Sequence, residues 1–559
     1  MQTKKELVKV LKKELNQDVE SLLEIPPDAS LGDYALPCFT LTKAFKKSPQ
    51  EIAQSLAQKI KSPLLEKVEV KGPYLNFFIN KKLIAESVLN EIFKKKEKYG
   101  ASAIGKGKTI VIDMSSPNIA KAFGIGHLRS TIIAQSLRHL LISQGYKVIR
   151  VNHLGDWGTQ FGKLITAYKK WGKEKELSNN PIRYLLQLYV RFHQEAEKNP
   201  ELEDDARSWF NKLEQGNKEA RLLWKKFRDL SITDFKKIYK LLNVDFESYE
   251  GEAFYNDKME PVIQELKKKN LLEESEGAWI INLEKYNLTS AIIKKKDGAT
   301  VYITRDLAAA LYRKKKYKFD KMLYEVGSEQ KLHFQQLFKI LELLGNNWAK
   351  DCIHVNHGLY LDKDRKKLAT RKGRTVFMEE VLSEAIDLAK KTIQEKNPSL
   401  ENKGKVAEAV GVGAIIFGDI SNDRTNDIIF DMDKFLSFEG ETGPYIQYTH
   451  ARLCSILRKA KLGKKKINYA VYDNEEREII KILGRFPQAI SEALDHYKPH
   501  IVARYLLNLA QASNTYYVTH QILKAEEPTR SARLVLISAV QLVLKQGLRL
   551  LNIEPLERM

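Results

Sequence analysis

Only three cysteines, Cys38, Cys352 and Cys454, occur among 559 residues. So widely spread, they exclude a disulfide framework and an all-cysteine zinc site. Long apolar runs are missing too, since none approaches the roughly 18 residues a bilayer-spanning helix needs. The opening MQTKKELVKVLKKELNQDVESLLEI has no apolar core of a secretory signal. Its Glu and Asp also rule out the acid-poor character of a transit peptide. No internal repeat and no low-complexity segment is present. These absences predict a cytoplasmic protein without a membrane partner.

What remains is 43% hydrophobic and 29% charged, the composition of a globular chain. At this length one core does not suffice, and three or four domains are expected. The net charge is +22. Basic residues cluster at 267–269, 294–296, 313–318 and 365–374. Such clusters read either as solvated faces or as sites that neutralise backbone phosphates.

Residues 1–95 read as a small α+β unit with a helix at the start, another over 49–61, and VEVKGPYLNFFIN as one half-buried, alternating strand. Residues 105–430 read as an open, Rossmann-like parallel α/β domain. It begins with the strand Thr109–Asp113, a turn, an amphipathic helix and a second strand. Residues 166–290 are charged and poor in glycine, and predict a helical insertion. The sheet is expected to resume at GATVYITRDLAAALYRKKK and to continue through KMLYEVGSEQKLHFQQLFKIL and CIHVNHGLYL. Residues 435–559 predict an all-helical bundle.

The turn SSPNIAKAFGIGHLRST, 115–131, follows the first of these strands. In an open α/β sheet, ligands bind beyond the carboxyl ends of the strands. Gly124 and Gly126 allow close backbone approach, and the following helix N-terminus favours anions. His127, Lys121 and Arg129 add donors for phosphate oxygens. Taken alone, the segment reads equally as a phosphate-binding turn or as a tight βα turn with a capping histidine.

Together with VNHLGDWGTQFGKL, this block resembles the signature of class I aminoacyl-tRNA synthetases, specifically the arginyl-tRNA synthetases. GATVYITRDLAAALYR, EVGSEQKLHFQQLF, HVNHGLYL, KKLATRKGR, GPYIQYTHAR and KPHIVARYLLNLAQASNTYY extend the resemblance in order along the chain. The family activity it implies is ATP-dependent joining of L-arginine to tRNA(Arg) through an arginyl-adenylate. It also implies a monomer, with magnesium accompanying the ATP and no tightly bound protein metal.

Site residues follow from the resemblance position by position. Tyr302 and Asp306 fall where the family contacts the guanidinium, with Asp113 matching a carboxylate near it in the arginine site, and Asn118 and Gln330 resemble the residues that hold the substrate's carboxylate and amino group. The chemistry agrees, because a planar cation with five donors needs a carboxylate in bidentate reach. Tyr302 and Asp306, four apart, face one way if a helix begins there. Gly358 and Leu359 resemble the backbone shelf for adenine. The GH of Gly126-His127 matches the second half of the HIGH motif, with Gly124 in place of the first histidine. Lys367-Leu368-Ala369-Thr370-Arg371 resembles a KMSKS loop without its second lysine. The resemblance therefore implies that Lys121, His127, Lys367 and Arg371 or Lys372 share the pyrophosphate. Tyr74 and Asn76 match a contact to the tRNA D-loop, and Tyr445, Tyr448, His450, Arg452, Asn514 and Tyr517 lie in the anticodon-binding bundle. The missing histidine and lysine keep a second reading open, a non-catalytic tRNA-binding paralogue.

Overall fold

The structure, a computed structural model, describes the chain apart from residues 1, 17, 297–300, 369, 372–373 and 461–466. At the N-terminus, β1 (Tyr34–Pro37), β2 (Leu65–Lys71) and β3 (Tyr74–Ile79) form an antiparallel sheet in the order β1-β3-β2. The helices Gln2–Leu15 and Pro49–Lys59 cover it, burying Leu7, Leu11, Ile52 and Ala53 with Leu75 and Phe77. Ser48 and Glu51 form a capping box at the second helix, and Pro49 suits its first position.

VEVKGPYLNFFIN is a hairpin, not the single strand expected. Gly72 takes φ +57 and Pro73 follows, so Lys71 pairs with Tyr74 across a two-residue turn. The unit's core also closes earlier than residue 95. The helix Lys81–Lys95 buries Val88, Leu89 and Ile92 in the larger cluster shared with the C-terminal helices.

The central sheet starts with β4 (Thr109–Asp113) and β5 (Lys147–Val151). β4 reads TIVID and is buried on both faces, as a parallel strand covered on two sides must be. The insertion that follows is helical only to about residue 268. Beyond it, β6 (Glu273–Ser275), β7 (Ala278–Ile281) and β8 (Ala291–Lys294) form a small antiparallel sheet. Glu276 and Gly277 have φ +52 and +81, the geometry of a two-residue hairpin turn that fits the strand twist. Among the described residues the parallel sheet does not resume ahead of Tyr302. β8, the strand that leads there, belongs to the antiparallel sheet, and residues 298–300 of GATVY lie outside the described residues. Parallel pairing returns with β9 (Lys321–Gly327) and β10 (Cys352–His357).

The parallel sheet has the order β10-β9-β4-β5. From β4 the chain steps to β5 on one side and later crosses to β9 on the other. The crevice beyond the carboxyl ends of β4 and β9 is therefore the switch point where such sheets take ligands.

The helix Gly126–Ser143 leaves this crevice and ends before Gly145, φ +88. It is buried on nearly every side rather than amphipathic. Beyond the sheet it meets the helices Lys403–Ile420, Asn474–Asp495 and Thr529–Leu550. Catalytic sheet and C-terminal bundle thus share one hydrophobic cluster. The helix Thr529–Leu550 is long and apolar enough to cross a membrane by length and composition, contrary to the sequence expectation. Here Leu536, Val540, Leu544 and Leu548 are buried inside the bundle.

Candidate active site

Between β4 and the helix at Gly126 the backbone is strained. Ser115, Ser116 and Ala120 have φ +70, +48 and +58, values that non-glycine residues seldom adopt. Side chains from β4 and from the helix Lys218–Leu241 fix this shape. Ser115 Oγ lies 2.8 Å from the Tyr239 hydroxyl, and Ser116 Oγ donates to Asp113 Oδ1 at 3.0 Å. The Ala120 N–H donates to Ser231 Oγ at 3.1 Å. Asn118, in the middle of the segment, is exposed and bridges to Gly155.

The helix that carries Asp306 begins at Tyr302, so both side chains leave its first turn as expected. Asp306 Oδ2 accepts from His333 Nε2 at 2.7 Å, and Oδ1 lies 3.7 Å from His153 Nε2. Burial by itself would raise this carboxyl. The His333 hydrogen bond and the charges of His153, His333 and Arg313 outweigh it and hold Asp306 below the usual carboxylate range. Tyr302 is 69% exposed at the helix start. Gln330 is exposed at the end of the short turn Ser328–Gln330, directly after β9.

Asp113 is not available as expected. Arg313 Nη1 donates to its Oδ2 at 2.7 Å, and the two side chains are 1% and 8% exposed. Arg313, read from sequence as the start of a basic surface cluster, is therefore an internal cation. Its Nη2 lies 3.1 Å from His153 Nδ1. A guanidinium can only donate, so Nδ1 accepts and the proton of His153 sits on Nε2, facing Asp306.

The sequence reading missed a second carboxylate. Glu252 follows Gly251, and its N–H donates to Leu154 O at 2.9 Å. Burial pushes Glu252 up to about 7, the charges of Asp306 and Asp156 add to this, and Arg305 opposes it. Asp156 is already paired, with Arg228 Nε at 2.9 Å. The charge of Asp306 thus opposes ionisation of Glu252, and a ligand cation would relieve that opposition.

On the other side of the crevice, Gly124 bridges to Phe377, and the Met378 N–H donates to Phe123 O at 2.9 Å. The chain leaving the KKLATRKGR segment is thereby docked on the GIGH turn. His127 is half-buried, its Nδ1 buried without a hydrogen-bond partner among the described residues. Burial pushes its imidazole down to about 4, and the Lys121 ammonium adds to that push. Lys121 itself is exposed. Lys367 Nζ lies 3.0 Å from both carboxylate oxygens of Glu329, the neighbour of Gln330. The side chain of Arg371 and the whole of Lys372 lie outside the described residues. Arg129, expected to face phosphates, is instead 1% exposed and turned inward to Asp419.

Gly358 and Leu359 follow β10 and are fixed by a loop further along the chain. The Gly358 N–H donates to Arg424 O at 2.9 Å, and the Leu359 N–H to Asp427 Oδ1 at 2.7 Å.

Away from the crevice, Tyr74 and Asn76 share a strand face, but Asn76 is only 4% exposed. As a base contact it offers little surface. Phe39, 48% exposed and edge-on to Tyr74 at 5.8 Å, is the aromatic that accompanies it. In the bundle, Arg452 Nη1 donates to Asn514 Oδ1 at 2.9 Å. Its guanidinium lies 4.7 Å from the Tyr448 ring centroid and 5.2 Å from that of Tyr517. Both tyrosines are exposed, and a cavity of about 470 Å³ lined by Tyr445, Tyr448, Arg452 and Asn514 adjoins them. His450 is fully buried, its Nδ1 donating to Leu556 O at 2.8 Å, and presents nothing to a partner.

Comparison with known proteins agrees with this geometry at every domain. A family model described as "tRNA synthetases class I (R), catalytic domain" matches residues 88–432. An "Arginyl tRNA synthetase N terminal domain" matches 1–79, and a "DALR anticodon binding domain" matches 446–559. An arginine–tRNA ligase of Halothermothrix orenii is 51% identical, over 100% of this chain and 99% of its own length. That of Enterococcus faecalis is 53% identical, over 99% of each. The structure of Thermus thermophilus arginyl-tRNA synthetase superposes with a TM-score of 0.83 at 25% identity, covering 100% of this chain and 99% of that one. With its full length matched in this way, the chain belongs to the class I arginyl-tRNA synthetases.

Proposed function

We propose that this chain joins L-arginine to tRNA(Arg) in two steps within the crevice beyond β4 and β9. The observation that carries the reading is Asp306, half-buried in the crevice against His333 and His153, whose charge adds to the burial that pushes Glu252 up to about 7. A guanidinium offers five donors in one plane and fits such a pair. A lysine ammonium is a compact donor that leaves acceptors unpaired. In this reading Asp306, Glu252 and Tyr302 receive the guanidinium, while Asn118 and Gln330 face the carboxylate and amino group. Asp113 acts at one remove, holding Arg313 beneath His153.

ATP enters as its magnesium complex, with Gly358 and Leu359 against the adenine and Gly124, Gly126 and His127 against the phosphates. A carboxylate oxygen of arginine attacks the α-phosphorus, and the bond to pyrophosphate breaks. A hydroxyl of the terminal tRNA ribose, the 2′-OH in class I, then attacks the acyl carbon and AMP leaves. No protein nucleophile is needed, so the chain's contribution is positioning and charge stabilisation. His127, uncharged near neutral pH, acts as a neutral hydrogen-bond partner. Lys121 and Lys367, with Arg371 or Lys372, supply the positive charge. Lys367 leaves Glu329 to do so, at little expense for an exposed pair.

For tRNA, Tyr74 with Phe39 and the stack of Tyr448, Arg452 and Tyr517 beside Asn514 provide aromatic and cationic faces of the kind that hold unpaired bases. The family resemblance extends the proposal to a cytoplasmic monomer and to the domain limits 1–95, 105–430 and 435–559, the first shortened by the packing of Lys81–Lys95. Purified protein with ATP, labelled arginine and tRNA(Arg) tests the whole reading. Arginyl-tRNA is the expected product. Its absence leaves the non-catalytic paralogue, and efficient charging with lysine contradicts the pocket.

A further inference from the structure

Arg129 lies two residues beyond His127, yet its side chain serves the interior. Nε is 3.0 Å from Asp419 Oδ2, and each side chain is 1% exposed. Nη1 donates to Asn426 O at 2.8 Å and Nη2 to Arg424 O at 3.3 Å. The Arg424 carbonyl is the same one that accepts from the Gly358 N–H. Tyr360 donates its hydroxyl to Asp419, and its ring centroid lies 5.6 Å from the Arg129 guanidinium. The fit of shelf to loop is tight, since a Cβ at Gly358 would fall 2.5 Å from Asn426 O. One guanidinium therefore joins the first turn of the His127 helix to the loop 424–427 that holds the Gly358–Leu359 shelf. Tyr360 and Asp419 lock it from behind.

We propose that Arg129 is a positioning residue for the nucleotide, setting the distance between the His127 turn and the Gly358–Leu359 shelf. The proposal rests on the reading of those two elements as the seat of ATP. A planar fork is required, because the three partners are spread around one cation. Lysine would reach Asp419 as a point charge but could not also hold both carbonyls. Loss of the fork lets shelf and turn drift, and small displacements of bound reactants cost much rate.

The test compares the parent chain with Arg129→Lys, Tyr360→Phe and the double variant Arg129→Met/Asp419→Leu, in which no buried charge is left unpaired. Steady-state charging gives KM for ATP and for arginine, and thermal melting reports the fold. In Arg129→Lys, which stays folded with a somewhat lower melting temperature, KM for ATP is expected to rise about tenfold, with KM for arginine little changed. The folded double variant shows the same rise, and Tyr360→Phe a smaller one of about threefold. A role for the charge alone predicts rescue by lysine. ATP KM within about twofold of the parent in a folded variant overturns the proposal, as do parallel rises for ATP and arginine. A parent that charges tRNA normally beside unaltered variants overturns this inference alone. A parent without ATP-dependent charging overturns the reading beneath it as well.

Discussion

Arg313 donates to Asp113 at 2.7 Å with both side chains buried, and His153 lies on the guanidinium's other edge at 3.1 Å. This pair decides which carboxylates a ligand can reach. Asp113 is spent on an internal cation, so a ligand cation meets Asp306 and Glu252. Replacing Arg313 with Met strands Asp113 in the interior. A loss of about 3–5 kcal/mol is expected, read as a lower midpoint of chemical denaturation. Arg313→Met/Asp113→Leu should recover most of it; no recovery would mean that the pair's role is not electrostatic.

Asp306→Asn keeps the shape and removes the charge. About a hundredfold loss in kcat/KM for arginine is expected, carried mainly by KM, with KM for ATP little altered. An equal effect on both substrates would place Asp306 outside the amino-acid pocket.

Glu252 gives the pocket a pH dependence of known sign. Its folded pKa of about 7 lies above the ordinary carboxylate value, so the free site is largely protonated below that pH. The unfolded chain ionises first, so this group's share of folded stability is undiminished below the ordinary value and is lost as pH rises towards 7. Binding a guanidinium reverses the preference and expels the proton. Calorimetry of arginine binding in buffers of differing ionisation enthalpy should show proton release at pH 6, fading above about 7.5, and none in Glu252→Gln. Proton uptake would contradict the assignment.

His127 is pushed down to about 4 by burial, with Lys121 adding to it. Its NMR titration should centre near that value and shift up in Lys121→Ala. The same substitution should slow ATP–pyrophosphate exchange, measured with tRNA present, by about 10- to 100-fold. Unchanged exchange would end the idea that Lys121 replaces charge missing from the degenerate motifs.

Arg452→Ala removes the cation between Tyr448 and Tyr517. KM for tRNA should rise about tenfold while KM for arginine stays put. A rise in both would point to a general disturbance of the bundle.

The sequence carried the parallel sheet and the helical C-terminus through long periodic segments, and the crevice through the GIGH turn and the start of a helix at Tyr302. What it hid were residues whose surroundings reverse their usual meaning. Arg313 sits in a run of lysines that reads as solvated, yet it is the buried partner of Asp113. Arg129 looks like a phosphate donor because of its neighbours in sequence, while its partner Asp419 is far along the chain. Glu252 lies in a stretch too irregular for any periodicity to flag. The hairpin at Glu276-Gly277 was masked by its charged flanks, although a glycine after a polar residue between short strands was there to be read. Asn76 failed for a simpler reason, since alternation places it on the face of Tyr74 without revealing that its place in the middle strand of the sheet is buried.

The most direct test of the account is a structure determined with arginine bound. The guanidinium is expected between Asp306 and Glu252, with the α-amino and carboxylate groups towards Asn118 and Gln330. A guanidinium held elsewhere, with Asp306 still paired only to His333 and His153, would contradict it.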